Sequence, residues 1–350
     1  MLYSLLEDRD TYFIKLHAEC ALHTYSSEFL HAEILSEVKK TKGIFCNKLN
    51  ADIIENIRNY TYMEKSICLD FENIEEITEN NFINLVSFLK NCFCAQNKTV
   101  FLINLSADIY KRLGEEKDFQ TSKTKDALPW GWIGQYESKC TCQDLIQKQE
   151  VLFQEELDKL TVNATDTKEQ IVHASTSVYL SKYINLKRMI ESNPRMLRLC
   201  IYYLAKKLIA EEYISCNPAQ NTGISLFFHT MNGGYLAAQL ADLLQVDLIY
   251  LDHLGPIESV HRKHFEKSIQ DSRSYIIVSD VICLGGEVGR AKTIIEYCGG
   301  KVLATISLVD IRTIQSQLMN NRISLYTISK ECNKIGYTIC TDFCEECLRK

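Results

Sequence analysis

One segment in the second half of the chain constrains the fold most: an apolar run that ends in an acid and leads into a glycine pair. Residues 274–280 are SYIIVSD, and residues 281–288 are VICLGGEV. The apolar run predicts a buried strand, followed by a helix to about Cys298 and a second strand at Lys301–Asp310. A glycine pair between a strand and a helix lets backbone N–H groups turn toward an anion. The segment therefore predicts a parallel α/β sheet with a ligand site after Asp280.

Composition narrows the class of protein. The 350 residues suit about two domains, and 46% hydrophobic with 24% charged residues excludes a wholly disordered chain. A net charge of -6 argues against a broad nucleic-acid-binding surface. The apolar runs are well short of the ~20 residues of a membrane span, and the first residues lack the pattern of a signal peptide. Most of the fifteen cysteines lie in apolar runs, so we expect reduced thiols and a cytoplasmic protein.

The first half of the chain divides into three predicted parts. Residues 1–60 are predicted to be helical, because apolar positions between Phe29 and Val38 recur at three- and four-residue spacing. Residues 61–115 alternate strand and helix, which implies a parallel sheet with right-handed crossovers. Residues 116–167 are predicted as a linker that contains a Trp pair near Pro129 and a connector helix. The strands and helices predicted in these parts are Ser66–Phe71, Asn80–Cys94, Lys98–Leu105, Asp108–Leu113 and Gln143–Leu160.

Two stretches of the alternating part carry a loose family resemblance. LDFENIEEITENNFINLVSFL, residues 69–89, is followed by TVFLINLSADIYKRL, residues 99–113. Together they resemble a STAS-like domain, in which an acidic strand end leads to a loop and an amphipathic helix. The match covers about fifty residues, and any small α/β layer fits the pattern equally well. The resemblance implies that the N-terminal half binds a protein partner and does no chemistry.

The C-terminal half, residues 168–350, carries a more specific resemblance. IIVSDVICLGGEV, residues 276–288, resembles the PRPP-binding motif of type I phosphoribosyltransferases, where an apolar strand precedes two acids, two apolar residues and a glycine-rich turn. Upstream, ISLFFH leads to a Gly-Gly turn before a helix at Tyr235–Leu244, as in that family's pyrophosphate loop. HASTSVYLSKYINLK, residues 173–187, is similar to the start of orotate phosphoribosyltransferases. His261–Lys267 takes the place of a closing loop, and Val309–Asp310 that of a Val-Asp-Arg motif.

The resemblance implies a reaction and a set of site residues. The activity would be transfer of phosphoribosyl from PRPP to a nucleobase-type acceptor with release of pyrophosphate, assisted by Mg²⁺ bound to PRPP, in a homodimer. Asp280 would hold the ribose hydroxyls. The loop that would bind the 5′-phosphate comprises Ser279, Cys283, Leu284, Gly285, Gly286 and Glu287. The pyrophosphate loop would comprise Thr230, Met231, Asn232, Gly233 and Gly234. The cations would be Arg262, Lys263 and Lys267 in the closing loop, with Lys182 and Lys187 near the phosphate or the base.

Departures from the family pattern leave a second hypothesis open. Ser279 stands at the first of the two acidic positions, and Cys283 and Leu284 replace hydroxyl residues. Glu287 stands where the family has Ser or Thr, and a carboxylate facing a phosphate is repulsive unless it turns to solvent or binds a cation. Either the chain is an enzyme with a weakened phosphate loop, or it is a degenerate sensor of PRPP or a nucleotide. In the second case the N-terminal half would transmit the bound state to a partner.

The C-terminal tail suggests a metal site. Cys340, Cys344 and Cys347 lie close together in the sequence, and Cys332, or Cys140 with Cys142, would complete a tetrahedral set. Thiolates in this number suit structural Zn²⁺. The spacing is not the usual paired arrangement, so a cysteine-rich helix end with buried thiols is the alternative.

Overall fold

The computed structural model divides the chain into two compact units, Met1–Glu156 and Leu157–Lys350. We call them the N-terminal and C-terminal units and describe each by itself. None of the described helices is both long and apolar enough to cross a membrane. The structure describes residues 3–16, 48–49, 54–55, 57, 65–93, 98–122, 129–134, 140–166, 171–172, 179–251, 269–312, 321–329, 333–334 and 336–340.

The N-terminal unit is built on a six-stranded sheet of order β1-β2-β4-β6-β8-β7. Strands β2, β4 and β6 are parallel, and the outer strands pair antiparallel. Its elements in chain order are β1 (Tyr3–Glu7), β2 (Thr11–Leu16), β3 (Lys48–Leu49), β4 (Ser66–Asp70), β5 (Glu76–Ile77), α1 (Glu79–Phe93), β6 (Val100–Ile103), α2 (Ala107–Glu115), β7 (Phe119–Thr121), β8 (Gly131–Ile133) and α3 (Cys142–Asn163). The last helix continues past Glu156 into the C-terminal unit.

A buried apolar cluster joins the parallel strands of the N-terminal unit to α1. Ile14, Leu69 and Leu102 are register neighbours on the three parallel strands, and they share the cluster with Leu85 and Leu89 of α1. Their burial supplies the main driving force for this unit. The predicted alternation of strand and helix over residues 61–115 is therefore confirmed, whereas the STAS-like assignment stays a prediction.

The helical prediction for residues 1–60 is wrong at its start. Residues 3–16 form the antiparallel pair β1–β2, whose second strand is almost entirely buried. TYFIKL is rich in β-branched and aromatic residues, so it fits a buried strand better than a helix. Ile54, Glu55 and Ile57 are helical, in agreement with the helical prediction for residues 1–60, while the helix expected around Phe29–Val38 lies outside the described residues.

Part of the predicted linker belongs to the sheet. β8 pairs with both β6 and β7, so Phe119–Thr121 and Gly131–Ile133 extend the sheet of the N-terminal unit. The Trp130 and Trp132 rings lie 5.0 Å apart, and Trp130 is buried. Gly131 allows β8 to approach β7 closely, because a Cβ at this position would lie 2.8 Å from the Gln120 carbonyl oxygen. The predicted connector helix is confirmed as α3.

The C-terminal unit is centred on a five-stranded parallel sheet of order β14-β13-β15-β16-β17. The predicted class, a parallel sheet flanked by helices, is confirmed. The elements of this unit after α3 are β9 (Thr165–Asp166), β10 (Ile171–Val172), β11 (Tyr179–Leu180), β12 (Tyr183–Ile184), α4 (Leu186–Ser192), α5 (Pro194–Ala210), β13 (Ile224–Phe228), α6 (Met231–Leu244), β14 (Asp247–Tyr250), β15 (Ser274–Ile282), α7 (Gly286–Tyr297), β16 (Lys301–Arg312), β17 (Arg322–Ser329) and β18 (Ile339–Cys340).

The order of strands creates a switch point between β13 and β15. From β13 the chain passes through α6 to β14 on one side, and from β15 it passes through α7 to β16 on the other. Val288 and Ile295 of α7 share a buried cluster with Tyr275 and Ile277 of β15. Adjacent strands whose connections diverge leave a crevice at their carboxyl ends, and ligands bind there in open α/β sheets. The topology alone thus selects the ends of β13 and β15.

Two strand ends differ from the prediction. β15 continues through Asp280 to Ile282, because Val281 and Ile282 pair with Val309 and Asp310 of β16. Asp280 therefore lies within β15, two residues before the strand ends at Ile282. Asp310 likewise lies inside β16, which runs on to Arg312.

Candidate functional site

Two helix N-termini lie at the switch point. α6 begins three residues after the end of β13, and α7 begins four residues after the end of β15. The first N–H groups of a helix have no partner within the helix, and the helix dipole places partial positive charge there. Two such ends at neighbouring strands make this edge of the sheet suitable for an anion.

The start of α6 is capped by its own sequence. Thr230 is the N-cap, and its hydroxyl accepts a hydrogen bond from the Gly233 N–H at 3.1 Å. A Cβ at Gly233 would lie 3.3 Å from the Val278 carbonyl oxygen, so this glycine lets the helix approach β15. The predicted pyrophosphate loop, residues 230–234, is thus wrong as a loop: Met231 to Gly234 form the first helical turn. Thr230 ends the extended segment because it can cap the helix.

The start of α7 has a different construction. Gly285 is the N-cap with φ +76°, a conformation that favours glycine, and α7 has no side-chain cap. A Cβ at Gly285 would lie 2.9 Å from Nη2 of Arg322. A Cβ at Gly286 would have no atom within 4 Å. The first turn of α7 therefore presents backbone with clear space in front of Gly286 and a guanidinium beside Gly285.

Two carboxylates and a histidine lie between these helix ends. Nε2 of His229, the residue after β13, is 3.2 Å from Oε2 of Glu287 in the first turn of α7. Burial raises the pKa of the Asp280 carboxyl, with a smaller contribution from Glu287, while His229 and backbone N–H groups lower it. Burial also raises the pKa of Tyr183, and Asp280 and Glu287 raise it further. These four residues thus form one electrostatic cluster. The Glu287 carboxylate is drawn toward His229.

The side chains of three other residues of the predicted phosphate loop do not point a hydroxyl toward an anion. Ser279 is buried, and its hydroxyl donates to the Val281 carbonyl at 3.3 Å. Sγ of Cys283 lies 3.5 Å from the Tyr337 hydroxyl, and burial raises the pKa of both groups. Leu284 is half-buried and offers the loop only its backbone. The side chains of this loop thus supply no hydroxyl to an anion, and recognition falls to the backbone.

A buried acid holds the guanidinium beside Gly285. Asp310 is fully buried, and its carboxylate accepts from Nε of Arg312 at 2.7 Å and from Nη1 of Arg322 at 3.3 Å. A buried carboxylate between two guanidinium groups is compensated. Asp310 therefore positions Arg322. Both Val309 and Asp310, the pair that resembles part of a Val-Asp-Arg motif, lie within β16.

The predicted cations and cysteines are mostly not placed in the site. Lys187 is exposed in the first turn of α4, and Nζ of Lys182 would lie 3.6 Å from a Cβ at Gly336. Arg262, Lys263, Lys267, Cys332, Cys344 and Cys347 lie outside the described residues. Within the described part of the chain, no three His, Cys, Asp or Glu side chains group as metal ligands. The zinc site stays a prediction.

The sequence did not single out three residues that the structure brings to the site: His229, Tyr183 and Arg322. His229 had a usable signal, because it follows the buried strand directly, as a residue at a carboxyl end does. Arg322 follows a stretch with no strong apolar pattern. Tyr183 lies in a two-residue strand that periodicity cannot detect.

No protein-family model and no curated protein sequence matches the chain. Solved structures do show a distant likeness over about half of the chain. Adenine phosphoribosyltransferase from Thermoanaerobacter pseudethanolicus is 17% identical, with 50% of this chain and 99% of that chain covered and a TM-score of 0.36. Orotate phosphoribosyltransferase from Aeropyrum pernix is 18% identical over 49% and 93%, with a TM-score of 0.36. UMP synthase from Leishmania donovani is 16% identical over 54% and 41%, with a TM-score of 0.37. The functional proposal below rests on the geometry of this chain.

Proposed function

We propose that the C-terminal unit binds a phosphorylated ribose, either PRPP or a nucleotide, at the carboxyl ends of β13 and β15. The observation that carries the proposal is the start of α7: a glycine pair at a topological switch point opens a helix that has no side-chain cap. Backbone N–H groups at such a helix start bind phosphate without help from side chains. This matches a loop in which the Ser279 hydroxyl already donates to the Val281 carbonyl oxygen and the other side chains carry no hydroxyl.

Clear space and local charge support the phosphate position. A phosphate on the first turn of α7 would meet no side chain at Gly286, and the Arg322 guanidinium lies beside the turn. Arg322 thus offsets part of the negative charge of Asp280 and Glu287. The ribose would lie toward Asp280, whose carboxylate accepts hydrogen bonds from hydroxyl groups.

The same geometry is compatible with phosphoribosyl transfer. In that reaction the Asp280 carboxylate would stabilise positive charge at the anomeric carbon while pyrophosphate leaves. The family resemblance implies Mg²⁺ bound to PRPP, and the Asp280 carboxylate would offer that ion an oxygen ligand. The metal would neutralise the leaving pyrophosphate. A nucleobase-type acceptor, a homodimer and a cytoplasmic location stay predictions from the sequence.

A ligand sensor without turnover is the second candidate, and Glu287 is the observation that favours it. A carboxylate in the first turn of α7 lowers the affinity for a phosphate dianion, which suits reversible binding of a metabolite. In this case the N-terminal unit would transmit the bound state to a protein partner.

Two matched glycine substitutions test the phosphate position. In Gly286→Ala the methyl group enters the space proposed for the phosphate, whereas in Gly289→Ala it lies one turn further along the same helix. A Cβ meets no atom within 4 Å at either position. Both changes should preserve or raise stability by up to about 1 kcal/mol, because Ala favours a helix over Gly. Calorimetric titration with PRPP and Mg²⁺ should show at least tenfold weaker binding for Gly286→Ala only.

The titration also separates the candidates. Wild type that binds no PRPP at millimolar concentration, with or without Mg²⁺, would contradict the proposed ligand; equal binding by both variants would contradict its position. Pyrophosphate release during a screen of nucleobase acceptors, lost in Asp280→Asn, would establish the transferase. Binding by wild type without release in that screen would favour the sensor.

A further inference from the structure

His229 carries an unexplained buried nitrogen. Its side chain is 6% exposed, and Nε2 lies 3.2 Å from Glu287 Oε2. The other ring nitrogen, Nδ1, is buried and has no hydrogen-bond partner among the described residues. Buried polar atoms in folded proteins are nearly always paired, so an orphaned one calls for a missing partner. Because His229 adjoins the proposed ligand site, a ligand atom is the natural partner.

The protonation of the ring follows from its two neighbours. An ionised carboxylate only accepts hydrogen bonds, so Nε2 donates to Glu287. In the neutral ring Nδ1 would then be a bare acceptor, which cannot pair with a phosphate oxygen. In the imidazolium form Nδ1 is a donor and can pair with it. An oxyanion at Nδ1 therefore selects the doubly protonated ring.

We propose that His229 recognises the phosphorylated ligand through Nδ1 while Glu287 holds Nε2, so that ligand binding takes up a proton. Resting on the proposed function, the inference deepens it by assigning Glu287 a positioning role in place of the repulsion expected from the sequence. The substrate class is an oxyanion, and the cation that compensates Glu287 is the imidazolium itself.

The other charged groups at this place act in the same direction. Asp280 on β15 interacts electrostatically with both His229 and Glu287. Tyr183 on β12 faces Asp280 and Glu287, and its pKa is raised, so its phenol stays neutral at neutral pH. The N-terminus of α6 follows His229 directly and favours an anion beside it.

Proton uptake can be measured directly. Wild type and variants are titrated calorimetrically with PRPP and Mg²⁺ at pH 7.5 in two buffers of different ionisation enthalpy, and the difference gives the protons bound. His229→Gln places an amide near Nε2 and keeps the contact with Glu287, whereas His229→Asn places one near Nδ1. Neither amide titrates. Glu296→Gln, an exposed change on the same helix, is the matched control for Glu287→Gln.

We expect wild type to take up more protons than His229→Gln, by up to one per site. The ligand's own ionisation cancels in this comparison. His229→Gln should bind PRPP about 10- to 100-fold more weakly, as for a lost charge-assisted hydrogen bond, and His229→Asn should recover part of that loss without proton uptake. Glu287→Gln should reduce the uptake, and Glu296→Gln should match wild type.

The titrations distinguish a failure of this inference from a failure of the proposed function. PRPP binding with equal proton uptake in wild type and His229→Gln overturns this inference and leaves the proposed function intact. A wild type that binds no PRPP overturns the proposed function, and the inference with it. Thermal unfolding shows whether the variants fold. Should both His229 variants be unfolded, wild type alone decides, because pH-independent affinity and no proton uptake between pH 6.5 and 8 overturn the inference.

Discussion

The same place in two parallel sheets, the carboxyl ends of neighbouring strands, is built in opposite ways in the two units. In the N-terminal unit, Nζ of Lys15 at the end of β2 lies 2.6 Å from Oδ2 of Asp70 at the end of β4 and also pairs with Glu72. Asn104 after β6 donates to Oδ1 of Asp70 at 2.8 Å, and the Glu72 N–H donates to the same atom at 3.0 Å. The carboxyl ends of β2, β4 and β6 are thus joined by ion pairs and hydrogen bonds.

In the C-terminal unit the corresponding ends are only partly joined. His229 reaches Glu287, but its Nδ1 has no partner among the described residues, and burial raises the pKa of Asp280. The connection from β15 ends in Gly285, and α7 begins at Gly286, so two glycines stand where this edge meets the helix. In the part of the chain that the structure describes, Asp280 thus lacks the close ion pair that Lys15 gives to Asp70.

The comparison distinguishes polar groups that stabilise the fold from polar groups that are available to bind a ligand. A buried ion pair whose hydrogen bonds are made fixes the relative position of strands, and removal of one member leaves the other uncompensated. Groups that lack partners lower stability until a ligand supplies them. We therefore assign the Lys15–Asp70 network a structural role and the cluster around His229 a binding role.

The largest expected effect is on the structural side of the comparison. Asp70→Ala leaves the Lys15 ammonium, which is 4% exposed, without its buried partner. We expect a loss of about 3–5 kcal/mol in the free energy of unfolding of the N-terminal unit, measured by urea denaturation. The double change Lys15→Met with Asp70→Leu removes both charges and should cost far less than Asp70→Ala alone.

Asp280→Ala is the corresponding change in the other sheet. If the two edges were equivalent, it would destabilise the C-terminal unit as strongly as Asp70→Ala destabilises the N-terminal unit. We expect it instead to leave the stability nearly unchanged while it abolishes PRPP binding. Equal losses of stability would contradict the distinction.

The next effect concerns the turn that opens α7. Gly285→Ala should lower the stability of the C-terminal unit by about 1–3 kcal/mol, because φ is +76° and the new methyl group would meet Arg322. Gly223→Ala is the matched control: φ there is +88°, but nothing lies within 4 Å of its Cβ. The difference between the two urea midpoints isolates the contact with Arg322. Equal losses would show that the guanidinium moves aside and does not brace the turn.

The sequence predicted most of what long apolar runs determine. The strands that contain Ile276 and Leu69 and the helices α1 and α3 follow from periodicity, because burial of an apolar face selects the element. The glycine pair at 285–286 predicted the start of α7, since few residues adopt positive φ. These features are local, so a single stretch of chain reveals them.

The remaining features depend on contacts between distant residues. The pairing of His229 with Glu287 joins positions 58 apart, and Arg322 reaches Gly285 from another strand. Thr230 was assigned to a loop because a cap becomes visible only when the helix boundary is known. The opening strands were missed because TYFIKL is too short for periodicity to distinguish strand from helix.

The smallest expected effect comes from the titration of Asp280. Burial raises the pKa of its carboxyl above the value of about 3.9 in an unfolded chain, so between these pKa values the folded state binds more protons. The stability that this group contributes is therefore full at acid pH and is lost as the pH rises through the pKa of the folded state.

Asp280→Asn removes this pH dependence of stability. We expect the variant to exceed wild type at pH 7 by an amount on the order of 1 kcal/mol or less, with the gap closing toward pH 4. Urea denaturation between pH 4 and pH 8 measures the gap. A gap that widens as the pH falls would mean that the folded protein favours the ionised carboxylate, and Asp280 would then resemble the compensated acid of the N-terminal sheet.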